Sequence, residues 1–302
     1  MTRSNLILAA AFVLFWNSGF IAAEFALPGA LTFTLMFWRY GLLCVVLGGV
    51  LLFRGCLVWP GFRRAGISMG IGILSHGVWL SCVLLAFERG VPAGIVALVV
   101  ALQPLVTGAL SGWMTGERTP MQRWIGLGLG FAGVCVVLLN RIQFSDAASI
   151  FGYLIPLVSV LAITVASLFQ RRLELQEPKT LLPADLSLFY QGLGTVLVMV
   201  VPAMWREGFS TDWSGEFVLS LLWLVLAVSL GAYGLMWRLI TQMDATRVAS
   251  LFYLGPPVTM LMAWFAFGDR LRVTDVVGLV VVLAGIIMTY LRKADGEGAF
   301  PS

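Results

Sequence analysis

Apolar runs of roughly twenty residues recur along the chain, and polar residues fall mostly in the short gaps between them. An α-helix needs about twenty apolar residues to cross the hydrocarbon core of a bilayer. Ten such runs can be marked: 5–23, 31–53, 66–87, 92–115, 122–140, 150–170, 184–204, 217–238, 247–267 and 275–291. The gaps carry most of the proline and charge, as in Pro28-Gly29, Pro60 to Arg64, Glu88 to Pro92, Gly116 to Pro120, Arg171 to Pro183 and Arg206 to Glu216. None is long enough to hold a soluble domain. The pattern predicts an all-α integral membrane protein with ten transmembrane helices.

The runs are not independent. The segment Ala93–Arg141 returns as Ala245–Lys293 under a shift of 152 residues, with no gap. Pro104 falls on Pro256, Thr107 on Thr259, Gly116-Glu117-Arg118 on Gly268-Asp269-Arg270, Gly126 on Gly278 and Gly133 on Gly285. Internal repetition of this kind fixes architecture before any local reading does. Equivalent positions are five spans apart, and five is odd. The second copy must then sit upside down relative to the first. The expectation is two inverted five-helix repeats, residues 1–148 and 149–302, the latter ending in a short disordered tail. Inverted repeats are characteristic of alternating-access transporters.

Composition supports the bilayer as solvent. Of the 302 residues, 60% are hydrophobic and 11% charged, against about 25% charged in a soluble domain. Mean hydropathy is +0.95. The net charge of +4 matters less than its placement. With the N-terminus cytoplasmic, thirteen Lys and Arg lie on the inner side, five on the outer side, and Arg39 lies within a span. That bias predicts both termini inside. The N-terminal run carries Trp16-Asn17-Ser18 and ends without an A-x-A site, so it reads as an uncleaved first helix. Cys44, Cys56, Cys82 and Cys135 form no CxxC pair and read as packing residues. No metal site, cofactor or nucleic-acid partner is expected.

The residues able to carry transport are polar or interrupted positions at membrane depth. Gln103-Pro104 lies mid-span in the fourth run, and Tyr253-Leu254-Gly255-Pro256-Pro257 mid-span in the ninth. Proline removes an N–H and frees a carbonyl four residues earlier, at Val100, Phe252 and Tyr253. Freed backbone at that depth survives only where protein or a watery cavity satisfies it. A packing kink is the plain alternative, but matching interruptions in two halves point to a central site.

His76 is the lone histidine, mid-span, with Trp79 on the same face. It could contact the cavity, carry a proton, or merely bond a neighbouring helix. Trp16, Asn17, Trp79, Tyr190, Tyr233, Trp237 and Tyr253 offer flat faces or polar tips inside spans, although plain packing explains most membrane aromatics. Trp59, Trp113, Trp205 and Trp213, near span ends, read as belt residues.

Arg39 sits about eight residues into its span, roughly 12 Å from the outer end at 1.5 Å per residue. It could attract a substrate carboxylate, pair with Glu24, or snorkel outward. No Asp or Glu is clearly mid-membrane, which favours a facilitator over a proton-driven antiporter. The glycine pairs Gly66/Gly70, Gly108/Gly112 and Gly126/Gly130 each line one helix face and allow close helix contact, with or without a weak homodimer.

The order of features resembles a known family. Trp16-Asn17-Ser18-Gly19-Phe20 in span one fits, as do the mid-span prolines of spans four and nine. The Gly-Glu-Arg and Gly-Asp-Arg turns and the Gly-x6-Gly spacing of spans five and ten fit too. The chain resembles the EamA-type members of the drug/metabolite transporter superfamily over essentially its whole length. Within them it looks most like bacterial aromatic amino acid exporters. The resemblance implies efflux of amino acids, aromatic and other neutral ones, across the inner membrane through a central cavity. Proton-coupled export of cationic drugs or other small metabolites is the alternative.

Rival classes fare worse. There is no HExxH, no GxSxG and no buried Asp pair for an intramembrane enzyme. No mid-span lysine could hold retinal in a light-driven protein.

Overall fold

The computed structural model describes residues 3–115, 121–141, 147–242 and 251–290. The turn at Gly116-Glu117-Arg118 and the tail after residue 290 lie outside the described residues. So do the side chains of Pro104, Trp237 and Tyr253. No strand occurs among the described residues. Lipid leaves backbone groups no outside partner, so helices that satisfy them internally are the viable solution.

Ten helices follow one another among the described residues. They are α1 (Arg3–Ala26), α2 (Thr32–Phe53), α3 (Phe62–Glu88), α4 in two pieces (Ala93–Val100 and Gln103–Thr115) and α5 (Met121–Arg141). Then come α6 (Ala147–Gln176), α7 (Ala184–Glu207), α8 (215–242), α9 (a 3-10 turn Phe252–Leu254 running into Gly255–Phe267) and α10 (Val273–Tyr290). Seven of them are apolar enough over eighteen residues to cross a membrane on length and composition alone. The outward surface carries large apolar side chains such as Phe53, Phe62, Leu197, Phe265 and Val280. The protein is an all-α membrane protein.

The helices interlace. α1 packs against α8 and α9, from the chain's second half, while α6 packs against α3 and α4, from the first. α2 lies along α7, and α5 along α10. Helices from the two halves of the sequence therefore share one core. α5 and α10 meet at the Gly-x6-Gly positions. A methyl group on Gly133 would lie 2.7 Å from Gly278 O, and one on Gly285 would lie 2.6 Å from Gly126 O. Early residues of one helix thus meet late residues of the other, so the pair runs antiparallel. The contact is also reciprocal, because Gly126 is equivalent to Gly278 and Gly133 to Gly285.

One expected glycine face makes no close helix contact within the chain. A Cβ on Gly66 or Gly70 would meet nothing within 4 Å. The close approach of α3 is made instead at Gly72, where a Cβ would strike the Gln191 backbone, and opposite Gly194. Within the chain it is Gly72, not the Gly66/Gly70 pair, that lets α3 and α7 approach closely.

One end of the bundle is tied down. α2 begins after Leu31, which offers no side-chain cap. Its first N–H groups are taken by carboxylates from two other helices. Thr32 N–H donates to Glu88 Oε1 at 2.7 Å, Phe33 N–H to Glu207 Oε1 at 3.1 Å and Thr34 N–H to Glu207 Oε2 at 2.7 Å. The loop after α7 folds over the same end. Asp212 N–H donates to Gly29 O, Trp38 Nε1 donates to Thr211 Oγ1, and Phe37 and Trp38 meet Phe209 and Trp213 edge to face.

The opposite end is more polar. Arg54 pairs with Asp185 at 3.2 Å, Arg63 pairs with Glu177 at 2.5 Å, and Arg64 donates to Thr180 O and Leu181 O. The Arg63 guanidinium and the Thr180 hydroxyl hold the Glu177 carboxyl below its ordinary range.

Candidate functional site

The breaks in α4 and α9 coincide under the 152-residue shift. The second piece of α4 runs 103–115 and that of α9 runs 255–267. In α4, Leu102 N–H falls back to Val99 O at 3.0 Å, and Val106 N–H resumes the ladder to Leu102 O. In α9, the Phe252 carbonyl is taken by Gly255 N–H in a 3-10 turn. Both breaks border a small chamber of about 60 Å³, whose walls include Asn17, Val100, Gln103, Phe252, Gly255 and Pro256. Asn17 links α1 to α9 here: its Nδ2 donates to Val13 O at 2.7 Å, and its Oδ1 accepts from Thr259 Oγ1 at 3.0 Å. Asn17→Ala is expected to cost about 0.6–1.7 kcal/mol, the range of interhelical hydrogen bonds in membranes. A thermal melt of purified protein checks it, and an unchanged midpoint would show the link to be dispensable.

Trp16, Phe20 and Trp79 also face a second lobe of about 50 Å³, with Arg39, Tyr40, His76, Val228 and Tyr233 around it. The rings form a connected wall. Tyr40 lies 5.2 Å from His76, His76 6.3 Å from Tyr233, and Tyr233 5.6 Å from Trp16 between centroids. Arg39 Cζ sits 5.6 Å over the Tyr40 ring, and Nε and Nη2 donate to Ser229 Oγ at 3.3 and 3.1 Å. It neither snorkels, being 7% exposed, nor pairs with Glu24.

Two π-helical stretches shape this lobe, Ile73–Val78 carrying His76 and Trp223–Ala232 carrying Ser229. Each inserts a wider turn and re-aims the side chains it carries, a device frequent at functional sites. Under the same shift the first stretch falls on 225–230, inside the second.

His76 separates this lobe from a vestibule. Its Nε2 lies 3.0 Å from Gln191 Oε1. Gln191 Nε2 donates in turn to Ser187 Oγ at 3.0 Å. The vestibule holds about 340 Å³ between Ser75, Ser167, Ser187 and Gln191 and reaches the exposed Glu174.

The structure thus brings together Trp16, Asn17, Arg39, His76, Trp79, Gln103, Tyr233, Gly255 and Pro256. Pro257 is outside the chamber walls. Tyr190 lies apart, packed on Leu47, Leu51 and Ala65, with its hydroxyl donating to Val58 O at 3.3 Å. Its neighbour Gln191 holds the place instead, and Tyr40 and Ser229 join unforeseen. Gln191, Tyr40 and Ser229 were legible only as polar or aromatic residues inside spans, like many that do not reach the site. Among the described residues no group of three or more His, Cys, Asp and Glu is placed to hold a metal ion.

Comparison with known proteins agrees with this architecture. The EamA-like transporter family matches over residues 3–139 and again over 150–291. An uncharacterized Bacillus subtilis transporter is 27% identical over 210 residues, spanning 69% of this chain and 66% of that protein. Proteins named "Probable amino-acid metabolite efflux pump" are similar too. The one from Salmonella typhimurium is 24% identical over 73% of this chain and 75% of its own length. The one from Escherichia coli is 23% identical over 77% and 80%. A solved crystal structure superposes with a TM-score of 0.64 at 20% identity, covering 96% of this chain and 98% of that one, a likeness of fold. One family pattern fits each half of the sequence, and the chain accordingly belongs to the EamA-like transporter family of multi-pass membrane proteins.

Proposed function

We propose that the protein exports amino acids, aromatic and other neutral ones, across the bacterial inner membrane. It does so by alternating access through the two-lobed chamber. The two halves, residues 1–148 and 149–302, act as inverted repeats with both termini cytoplasmic. The reciprocal, antiparallel glycine contact between α5 and α10 supports the inversion. The names of the efflux-pump relatives support the cargo.

One observation carries the reading. A chamber of aromatic and polar walls sits at the paired helix breaks, reached by a vestibule from the Glu174 end while carboxylates and edge-to-face rings shut the other. The chamber as it stands is too small for cargo. Its lobes of about 50 and 60 Å³ compare with a cavity of about 150 Å³ for one benzene ring. Binding must widen it, and a state with one end shut that must rearrange to admit solute is what alternating access requires.

No Asp or Glu lines either lobe among the described residues, which favours facilitated diffusion. The test is counterflow of labelled phenylalanine in reconstituted vesicles, with and without a pH gradient. Flux of phenylalanine independent of the gradient is expected. Strict dependence would make the carrier proton-coupled. Flux of a quaternary cation without phenylalanine would replace the cargo by cationic compounds.

A further inference from the structure

We propose that Arg39 makes the chamber a receptor for organic carboxylates with an apolar or aromatic body, so that a substrate must bring the carboxylate but not the ammonium group. This rests on reading the chamber as the substrate site. Arg39 is buried at mid-span, where an unpaired cation is costly. Among the described residues no carboxylate lies within ion-pairing distance of it, and its hydrogen bonds go to one oxygen, Ser229 Oγ. That oxygen caps the Nε/Nη2 edge of the guanidinium. Guanidinium has five N–H donors in a rigid fork, and the Nη1/Nη2 edge meets no acceptor among the described residues. Two parallel N–H groups on that edge match a carboxylate in bidentate geometry.

A second donor points the same way. Trp79 Nε1 is buried without a partner, and Trp79 lines both lobes. The remaining surface is flat and apolar, from Trp16, Phe20, Val83, Val228 and the Tyr233 ring, which suits a ring or a branched chain.

The site offers an amine no opposite charge: no Asp or Glu lines either lobe among the described residues. An ammonium group would instead sit in the field of the guanidinium. Anionic aromatic acids should therefore bind at least as well as the matching zwitterions, and amines of the same shape should be refused.

The experiment is a binding measurement on the purified full-length protein, by tryptophan fluorescence and thermal stabilisation. Three ligands share one body: 3-phenylpropanoate, phenylalanine and phenethylamine. The expected ranking in the wild type is 3-phenylpropanoate equal to or tighter than phenylalanine, with phenethylamine undetected. Arg39→Gln should weaken both carboxylates about 10- to 100-fold, the range of a charge-assisted hydrogen bond, and abolish the discrimination against the amine. Arg39→Lys, which keeps the charge without the fork, should retain the ranking at reduced affinity.

Phenethylamine binding as tightly as 3-phenylpropanoate would overturn the proposal. So would unchanged carboxylate affinity in a folded Arg39→Gln protein, or no binding by any of the three. The wild-type ranking needs no variant and decides the matter even if Arg39→Gln fails to fold. Ligands that bind in the expected order but are not moved across vesicles would count against export and leave the carboxylate receptor standing.

Discussion

Glu207→Ala is expected to open the end of the bundle that the structure holds shut. Glu207 accepts the N–H groups of Phe33 and Thr34, at the start of a helix with no cap of its own. A carboxylate at a helix N-terminus gains from both the hydrogen bonds and the helix dipole. Each charge-assisted bond contributes about 1.5–3 kcal/mol. Water replaces part of that when the end opens, but a net loss of about 2 kcal/mol is still roughly thirtyfold in a two-state equilibrium.

The readout is labelling of Thr34→Cys by a membrane-impermeant maleimide, in a background without the four native cysteines. Thr34 is buried in the closed state, so its reactivity reports opening. Adding Glu207→Ala should raise the labelling rate by about tenfold or more. Glu207→Gln, which keeps an acceptor oxygen without charge, should fall between. Equal labelling with and without Glu207 would show that the packed rings of Trp38, Phe209 and Trp213 close this end unaided.

Gly72→Leu is expected to abolish folding or nearly so, while Gly66→Leu and Gly70→Leu are tolerated. A side chain on Gly72 would enter the backbone of α7 at Gln191, and backbone cannot swing aside as a flexible side chain can. Overpacking with side chains costs about 1–3 kcal/mol. Against backbone the cost should exceed about 4 kcal/mol, the level reserved for severe mechanisms. The same shift would separate His76 from Gln191, which bonds it 3.0 Å away. Gly66 and Gly70 face open space, where the substituent meets lipid. Yield of monodisperse protein and its melting temperature decide the comparison. Equal behaviour of all three variants would remove Gly72 from the contact.

The helices were legible because the physics that makes them is local. A run of about twenty apolar residues in lipid has one way to satisfy its backbone. The breaks were legible for the same reason: Pro104 and Pro256 cannot donate, whatever surrounds them. What the residues did not settle were choices of face. Gly66 and Gly70 share a face four residues apart, yet Gly72 makes the contact. Tyr190 was singled out as an aromatic inside a span, yet its neighbour Gln191 faces the vestibule. One residue along a helix turns a side chain by about 100°, so a correct depth does not settle which neighbour is met. The π-helical stretches around His76 and Ser229 shift that rotation again, and no residue in either stretch announces them.

From the residues alone came the membrane as solvent, the number and order of helices, the duplication, and the depth of the polar groups that transport would use. Folding in three dimensions decided that Arg39 rests on Ser229 rather than Glu24, that His76 meets Gln191, and that Glu88 and Glu207 cap α2. The division follows from range. Hydropathy and proline act on their own segment of chain, whereas these pairings join residues 56 to 190 positions apart, and only the packing of whole helices sets which of them face one another.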